Sequence, residues 1–160
     1  MIRASHVGRA YESQVRRKVL VVIAEDWFAL SHYVPLLSEL VTQANDVLVT
    51  ARSSGRLQDI EALGARARHV DFGRGSLNPA RVVRARSALA RLIEDEKPDV
   101  VHAIALQSMV MTSLALATSR HRPSAIVLHL TGLGYLGQSR SPMASVVGPL
   151  AWAAVRHCMT

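Results

Sequence analysis

The chain has 160 residues, 49% hydrophobic and 19% charged, which suits one domain with a real core and excludes a disordered segment. A single cysteine, Cys158, excludes an internal disulfide framework, reads as a small apolar residue and makes a reducing cytoplasmic setting the default. The net charge of +7 with only 4% aromatic residues, and no basic stripe interleaved with aromatics, points away from nucleic acid and toward smaller anions or lipid head groups.

Residues 1–17 read as a polar, basic tail carrying Arg3, Arg9, Arg16 and Arg17, without the apolar core of a leader peptide. The run Val19-Leu-Val-Val-Ile-Ala24 then predicts a strand over 18–24 buried on both faces, the mark of a parallel sheet. Its exit, Glu25-Asp26-Trp27-Phe28, contains no glycine and reads as a ligand-facing wall rather than a phosphate cradle. Leu30, Val34, Leu37, Val41 and Ala44 share one helical face, which predicts a helix from about 33 to 44. Pro35 must lie in its first turn, so the cap is expected at Ser31 or His32.

A second strand is predicted over 46–51, then a helix over 56–63 that stops at Gly64, and a weaker third strand over 66–72. Gly73–Asn78 reads as a loop, with Asn78-Pro79 opening a helix over 79–96. That helix turns Val82, Ala85, Leu89 and Ile93 inward, and its Arg81, Arg84 and Arg91 read as a solvated face. A fourth strand over 99–102, a helix over 109–119 and a fifth strand over 125–130 follow, then a loop over 131–135 and a helix near 142–157. The apolar stretch 141–155 is shorter than the ~20 residues of a spanning helix and reads as packing, or as grazing a membrane surface. Strands alternating with helices imply right-handed crossovers and a doubly wound α/β sheet of about five strands.

Gly132-Leu-Gly134-Tyr-Leu-Gly137 fits a dinucleotide-binding pattern but follows the fifth strand, opens no helix promptly and has no acid after it to hold a ribose. Its glycines read instead as permitting close approach of a ligand or neighbouring element. There is no phosphate-binding lysine loop, no paired-cysteine or H-E-x-x-H metal spacing and no nucleophile elbow, so no metal site is expected. What remains is a set of polar residues at strand exits. Asp26 and His32 follow the first strand, Arg52 and Ser53 the second, and Arg74 and Ser76 the third; Gln107 and Ser108 follow the fourth, and Thr131 and Tyr135 the fifth. His102 reads as a structural histidine. His32, placed at a helix N-terminus, reads as a neutral imidazole suited to a sugar hydroxyl or to plain capping.

These residues carry a resemblance. Lys18–Pro35, Arg52, Gly64, Phe72–Pro79, Lys97-Pro-Asp-Val-Val-His102 and Thr131-Gly-Leu-Gly-Tyr135 resemble, in order and spacing, the bacterial family-four retaining glycosyltransferases, in the branch that builds capsule, lipopolysaccharide O-antigen and exopolysaccharide. The chain departs from that pattern at Tyr33, Gln107 and Ile104, where relatives often carry Arg, Lys and His.

The resemblance implies a GT-B plan of two facing Rossmann-like domains, of which 18–160 resembles the amino-terminal, acceptor-side one without its last strand. The donor-binding domain has no counterpart before Thr160, so the chain alone is expected to be inactive. It implies transfer of a sugar from a nucleoside diphosphate donor to a saccharide or polyprenyl-phosphate-linked acceptor, with configuration retained, no cofactor and no metal, at the inner face of the cytoplasmic membrane. Asp26, Trp27, Ser31, His32, Gln107 and Tyr135 are the implied acceptor contacts. Arg74, Ser76, Thr131, Gly132 and Gly134 lie on the implied phosphate or donor side, and no catalytic residue is assigned. Two alternatives stay open: half of a nucleotide-sugar 2-epimerase, and a non-catalytic remnant or partner-dependent binding module.

Overall fold

The computed structural model describes residues 16–43, 46–72 and 79–131. Strands β1 (Lys18–Glu25), β2 (Asp46–Arg52), β3 (Arg66–His69), β4 (Val100–Ile104) and β5 (Ala125–His129) form one sheet in the order β3-β2-β1-β4-β5. Every pairing is parallel. The strand order reverses between β1 and β4, so their carboxyl ends flank the switch point where open α/β sheets bind ligands. The chain is thus a doubly wound, Rossmann-like α/β domain.

Helices α1 (Asp26–His32), α2 (Val34–Thr42) and α3 (Leu57–Glu61) lie on one face, and α4 (Pro79–Glu96) and α5 (Leu106–Leu116) on the other. Alternation along β1 builds both cores. Val19, Val21 and Ile23 pack with Ala29, Leu37 and Ile60, while Leu20 and Val22 pack with Ala85, Leu89, Ile93 and Met109. Val19–Ala24 of β1 is therefore an unbroken apolar run, as a strand covered on both sides must be.

Several boundaries differ from the sequence reading, each for a local reason. The expected exit loop after β1 is instead the seven-residue helix α1, whose first-turn Trp27 N–H is taken by the Asp26 carboxylate at 2.7 Å. Ser31 and His32 are consequently the last residues of α1 and do not cap α2; Tyr33 separates the helices, with Pro35 in the first turn of α2. His32 thus sits where the helix dipole favours a cation, the reverse of the expected position. β3 ends at His69, after which Val70 N–H donates to Ala51 O of β2 (3.0 Å). β4 continues to Ile104, and α5 begins at Leu106, three residues earlier than expected, because Ala105 turns the chain with φ +69. The helix Pro79–Glu96 matches its expected limits. Gly64 (φ +91) closes the turn after α3, where a Cβ would stand 3.0 Å from Val41 Cγ1. The loop 73–78, the glycine-rich segment and the helix expected near 142–157 lie outside the described residues.

Candidate functional site

The carboxyl edge of the sheet is built first by charge. Beyond Val22 the β1–β2 register shifts and sets Glu25 opposite Arg52. The Arg52 guanidinium donates from Nε and Nη2 to both Glu25 oxygens at 3.0–3.1 Å, and Glu25 is 5% exposed. This is the forked arginine–carboxylate geometry that makes a buried acid tolerable. Asp26 is fully buried beside it and accepts from Trp27 N–H (2.7 Å), Ser54 N–H (2.7 Å), Ser54 Oγ (2.6 Å) and Arg56 N–H (3.0 Å). Burial alone would raise its pKa; the hydrogen bonds from Ser54, Arg56 and Trp27 together outweigh burial and hold the carboxyl below 3.8. Asp26 therefore faces inward and pins the turn 53–56 to the start of α1.

An aromatic ladder crosses the same edge. Trp27, 38% exposed, meets Phe28 edge-on at 5.8 Å between ring centres, and Phe28 meets Tyr33 at 5.5 Å. Tyr33 stands perpendicular to His129 at 5.7 Å, and His129 stacks on His102 at 5.7 Å. His32 leans on Phe28 at 4.8 Å, and its Nδ1 lies 2.6 Å from Ser31 Oγ, which donates to the Trp27 carbonyl at 2.8 Å. Burial, then the neighbouring His129, push the His102 imidazole below 6.5, and among the described residues its buried Nε2 has no hydrogen-bond partner. Such rings offer flat apolar faces with polar rims.

At the β4 exit Ala105 holds φ +69 and ψ 155, a region that favours glycine. Its N–H donates to His129 O (2.9 Å) and its carbonyl accepts from Met109 N–H (3.0 Å), which fixes the start of α5 between the β4 and β5 exits. Gln107 Nε2 donates to Phe72 O (2.8 Å), tying the β3 exit to α5.

Of the residues singled out from sequence, Trp27, Ser31, His32, Gln107 and Thr131 lie at this edge with Asp26 buried beneath it, Thr131 exposed just past β5. Arg74, Ser76, Gly132, Gly134 and Tyr135 lie outside the described residues. Sequence reasoning did not find the Glu25–Arg52 pair, His129 or the strain at Ala105. Only the strand-five alternation, which puts His129 at the exit, could have signalled one of them. Among the described residues no group of three or more His, Cys, Asp or Glu side chains could hold a metal ion, and no helix is long and apolar enough to cross a membrane.

Residues 31–160 match the family described as glycosyl transferase 4-like domain. No curated protein sequence matches the chain. Among solved structures it resembles a Listeria monocytogenes protein provisionally described as a UDP-N-acetylglucosamine 2-epimerase, with TM-score 0.56 and 18% identity over 86% of this chain and 38% of that one. It also resembles a Rickettsia africae glycosyltransferase, with TM-score 0.53 and 12% identity over 80% of this chain and 34% of that one. A third likeness, to the 4-carboxy-2-hydroxymuconate hydratase GalB of Pseudomonas putida, has TM-score 0.53 and 16% identity over 90% of this chain and 79% of that one. At these identities the likeness shows the fold, which the three proteins put to different chemistry. The chain spans little more than a third of the length of the first two.

Proposed function

The chain belongs to the glycosyl transferase 4-like domain family, and on that premise we propose that it is the acceptor-side half of a two-domain enzyme that transfers a sugar from a nucleoside diphosphate donor. The acceptor is a saccharide, carried on a polyprenyl phosphate, in cell-surface polysaccharide synthesis at the inner face of the cytoplasmic membrane. A facing donor domain grips the nucleotide, and this domain aligns the acceptor hydroxyl against the anomeric carbon, whose configuration is retained. Holding two reactants in register is itself a large part of catalysis. The donor is substrate; no metal or cofactor is required where basic side chains and helix N-termini meet the charge developing on the departing diphosphate.

The observation that carries this reading is the division of labour at the β1 exit. Glu25 and Asp26 are buried and committed to Arg52 and to the turn 53–56. Trp27, the next residue, is presented to solvent. An edge that spends its carboxylates on architecture and exposes an indole suits positioning a sugar ring better than moving protons. This favours transfer over epimerisation, which needs acid–base groups at the sugar. Trp27 stacks on the acceptor ring, while Ser31 and His32 meet its hydroxyls. Gln107 steadies Phe72 at the end of the β3 segment, and Arg74 and Ser76 serve the phosphate or donor side. Thr131, Gly132 and Gly134 serve the approach of the phosphate or donor, and Tyr135 joins the acceptor contacts.

Calorimetry on the 160-residue chain tests the reading. Nucleoside diphosphate is expected to bind no tighter than about millimolar and acceptor oligosaccharide measurably, with Trp27→Ala weakening the saccharide roughly tenfold, as loss of one stacked ring implies. Micromolar binding of the nucleotide by this chain alone would overturn the acceptor-side assignment.

A further inference from the structure

The two faces of the sheet differ in charge. From α1 to the turn after α3, outside β2, the described charged residues are Asp26, Glu39, Asp59 and Glu61 against Arg56. On the other face, α4, α5 and the segment 117–124 carry Arg81, Arg84, Arg86, Arg91, Arg120 and Arg122 against Glu94, Asp95 and Glu96.

Within α4 the arrangement runs against the helix. It has no acid in the first turn and no base in the last, and all its arginines precede all its acids. Cations near a helix N-terminus and anions near its C-terminus both oppose the dipole. Two of the three acids have local work: Glu96 pairs with Arg66 at 2.8 Å, and Glu94 accepts from Ser119 Oγ (2.8 Å) and His121 N–H (3.3 Å), while Asp95 is exposed near the end of the helix. Arg81, Arg84 and Arg91 have none. With Ala88 they form one exposed stripe at helical spacing, no described acid pairs with them, and Val83 flanks the stripe at 53% exposure. The three arginines span roughly 15 Å of helix at 1.5 Å per residue.

We infer that the outer face of α4 is a docking surface for an anionic phospholipid membrane. Charge complementarity selects an anionic partner. A straight, convex row of arginines without aromatic side chains, beside an exposed valine, suits a flat lipid surface better than the bases of a nucleic acid. The geometry agrees with a lipid-linked acceptor, and to that extent rests on the function proposed above. α4 starts at Pro79, after the β3 exit, so Arg81 and Arg84 stand nearest the carboxyl edge, and the bilayer would lie alongside the cleft.

Co-flotation with vesicles tests the surface. The intact chain should bind vesicles of phosphatidylcholine mixed with phosphatidylglycerol, not phosphatidylcholine alone, and binding should fall as salt rises. At about a fivefold gain in partition per arginine, the combined Arg81→Gln, Arg84→Gln and Arg91→Gln variant should lose about a hundredfold. Circular dichroism of that variant should match the parent, since all three side chains are exposed. Glu39→Gln with Glu61→Gln raises the net charge on the opposite face and should change binding by less than about twofold if the α4 face is what docks. The inference is overturned if the triple variant still binds, if the two-glutamate variant gains in proportion to net charge, or if polyuridine RNA binds more tightly than the anionic vesicles. These vesicles contain no acceptor, so their failure would strike this surface and leave the sugar-transfer reading standing.

Discussion

At the amino edge of the sheet, charges close on one another across the chain. Arg66 on β3 donates to Asp46 on β2 (3.0 and 3.3 Å) and to Glu96 at the end of α4 (3.0 and 2.8 Å), and the Lys18 N–H and ammonium reach Asp99 and the Glu96 carbonyl at 2.8 and 3.2 Å. The carboxyl edge is different. It has the same kind of pair in Glu25–Arg52, but also an exposed indole, stacked imidazoles, a His102 Nε2 without a partner among the described residues and an alanine in a glycine-favoured conformation. The carboxyl edge thus combines an exposed aromatic surface with the strain at Ala105, while the far end is closed by ion pairs.

The largest test of this contrast is Asp26→Ala. It strands four donors beneath the carboxyl edge and should cost about 3 kcal/mol in urea unfolding; a loss below about 1 kcal/mol would mean that the buried clamp is ornamental. Because the folded carboxyl titrates below 3.8, its stabilisation is present above that pH and disappears as pH falls through the lower folded value. At the amino edge Arg66→Ala should cost only about 1 kcal/mol, since the side chain is 45% exposed and solvent screens it. Added salt should shrink that difference while leaving the Asp26 effect nearly intact.

Backbone strain separates the edges in the opposite sense. Ala105→Gly should stabilise the fold by about 1 kcal/mol by relieving φ +69, ψ 155. Lys97→Gly, at φ +48 after α4, should gain only about 0.5 kcal/mol, because a positive φ just past a helix end is a common and mild departure. Equal gains in thermal unfolding would erase the distinction. The smallest effect concerns acidification. His102 is held below 6.5 in the fold, so the unfolded chain binds its proton first and stability declines as pH falls through 6.5. His102→Gln should remove that component of the decline, visible as a flatter stability curve against the parent.

Much of the scaffold was legible because its signals are long and redundant. The apolar run of β1, the helical period sustained over the 18 residues of α4 and the alternation of elements point to one parallel sheet. Short elements were not legible. α1 is too brief to display a period, and its start rests on a carboxylate that reads equally as a loop residue. The early start of α5 depends on Ala105 adopting a conformation that alanine does not advertise. For the site, Trp27, Ser31, His32 and Gln107 could be placed at the carboxyl edge, since strand exits follow from strand order. Asp26 could not be foreseen as a clamp, nor Glu25 and Arg52 as a pair, because those depend on a register shift and a turn geometry set by tertiary contacts.

The central claim is that the carboxyl edge, and not the amino edge, receives the acceptor. Amide chemical-shift mapping during titration with a panel of free oligosaccharides addresses it directly. Among the described residues, shifts are expected only at Glu25–Tyr33, Ser53–Arg56, Ala105–Gln107 and His129–Thr131. Shifts centred instead on Lys18, Asp46, Arg66 and Glu96 would contradict it.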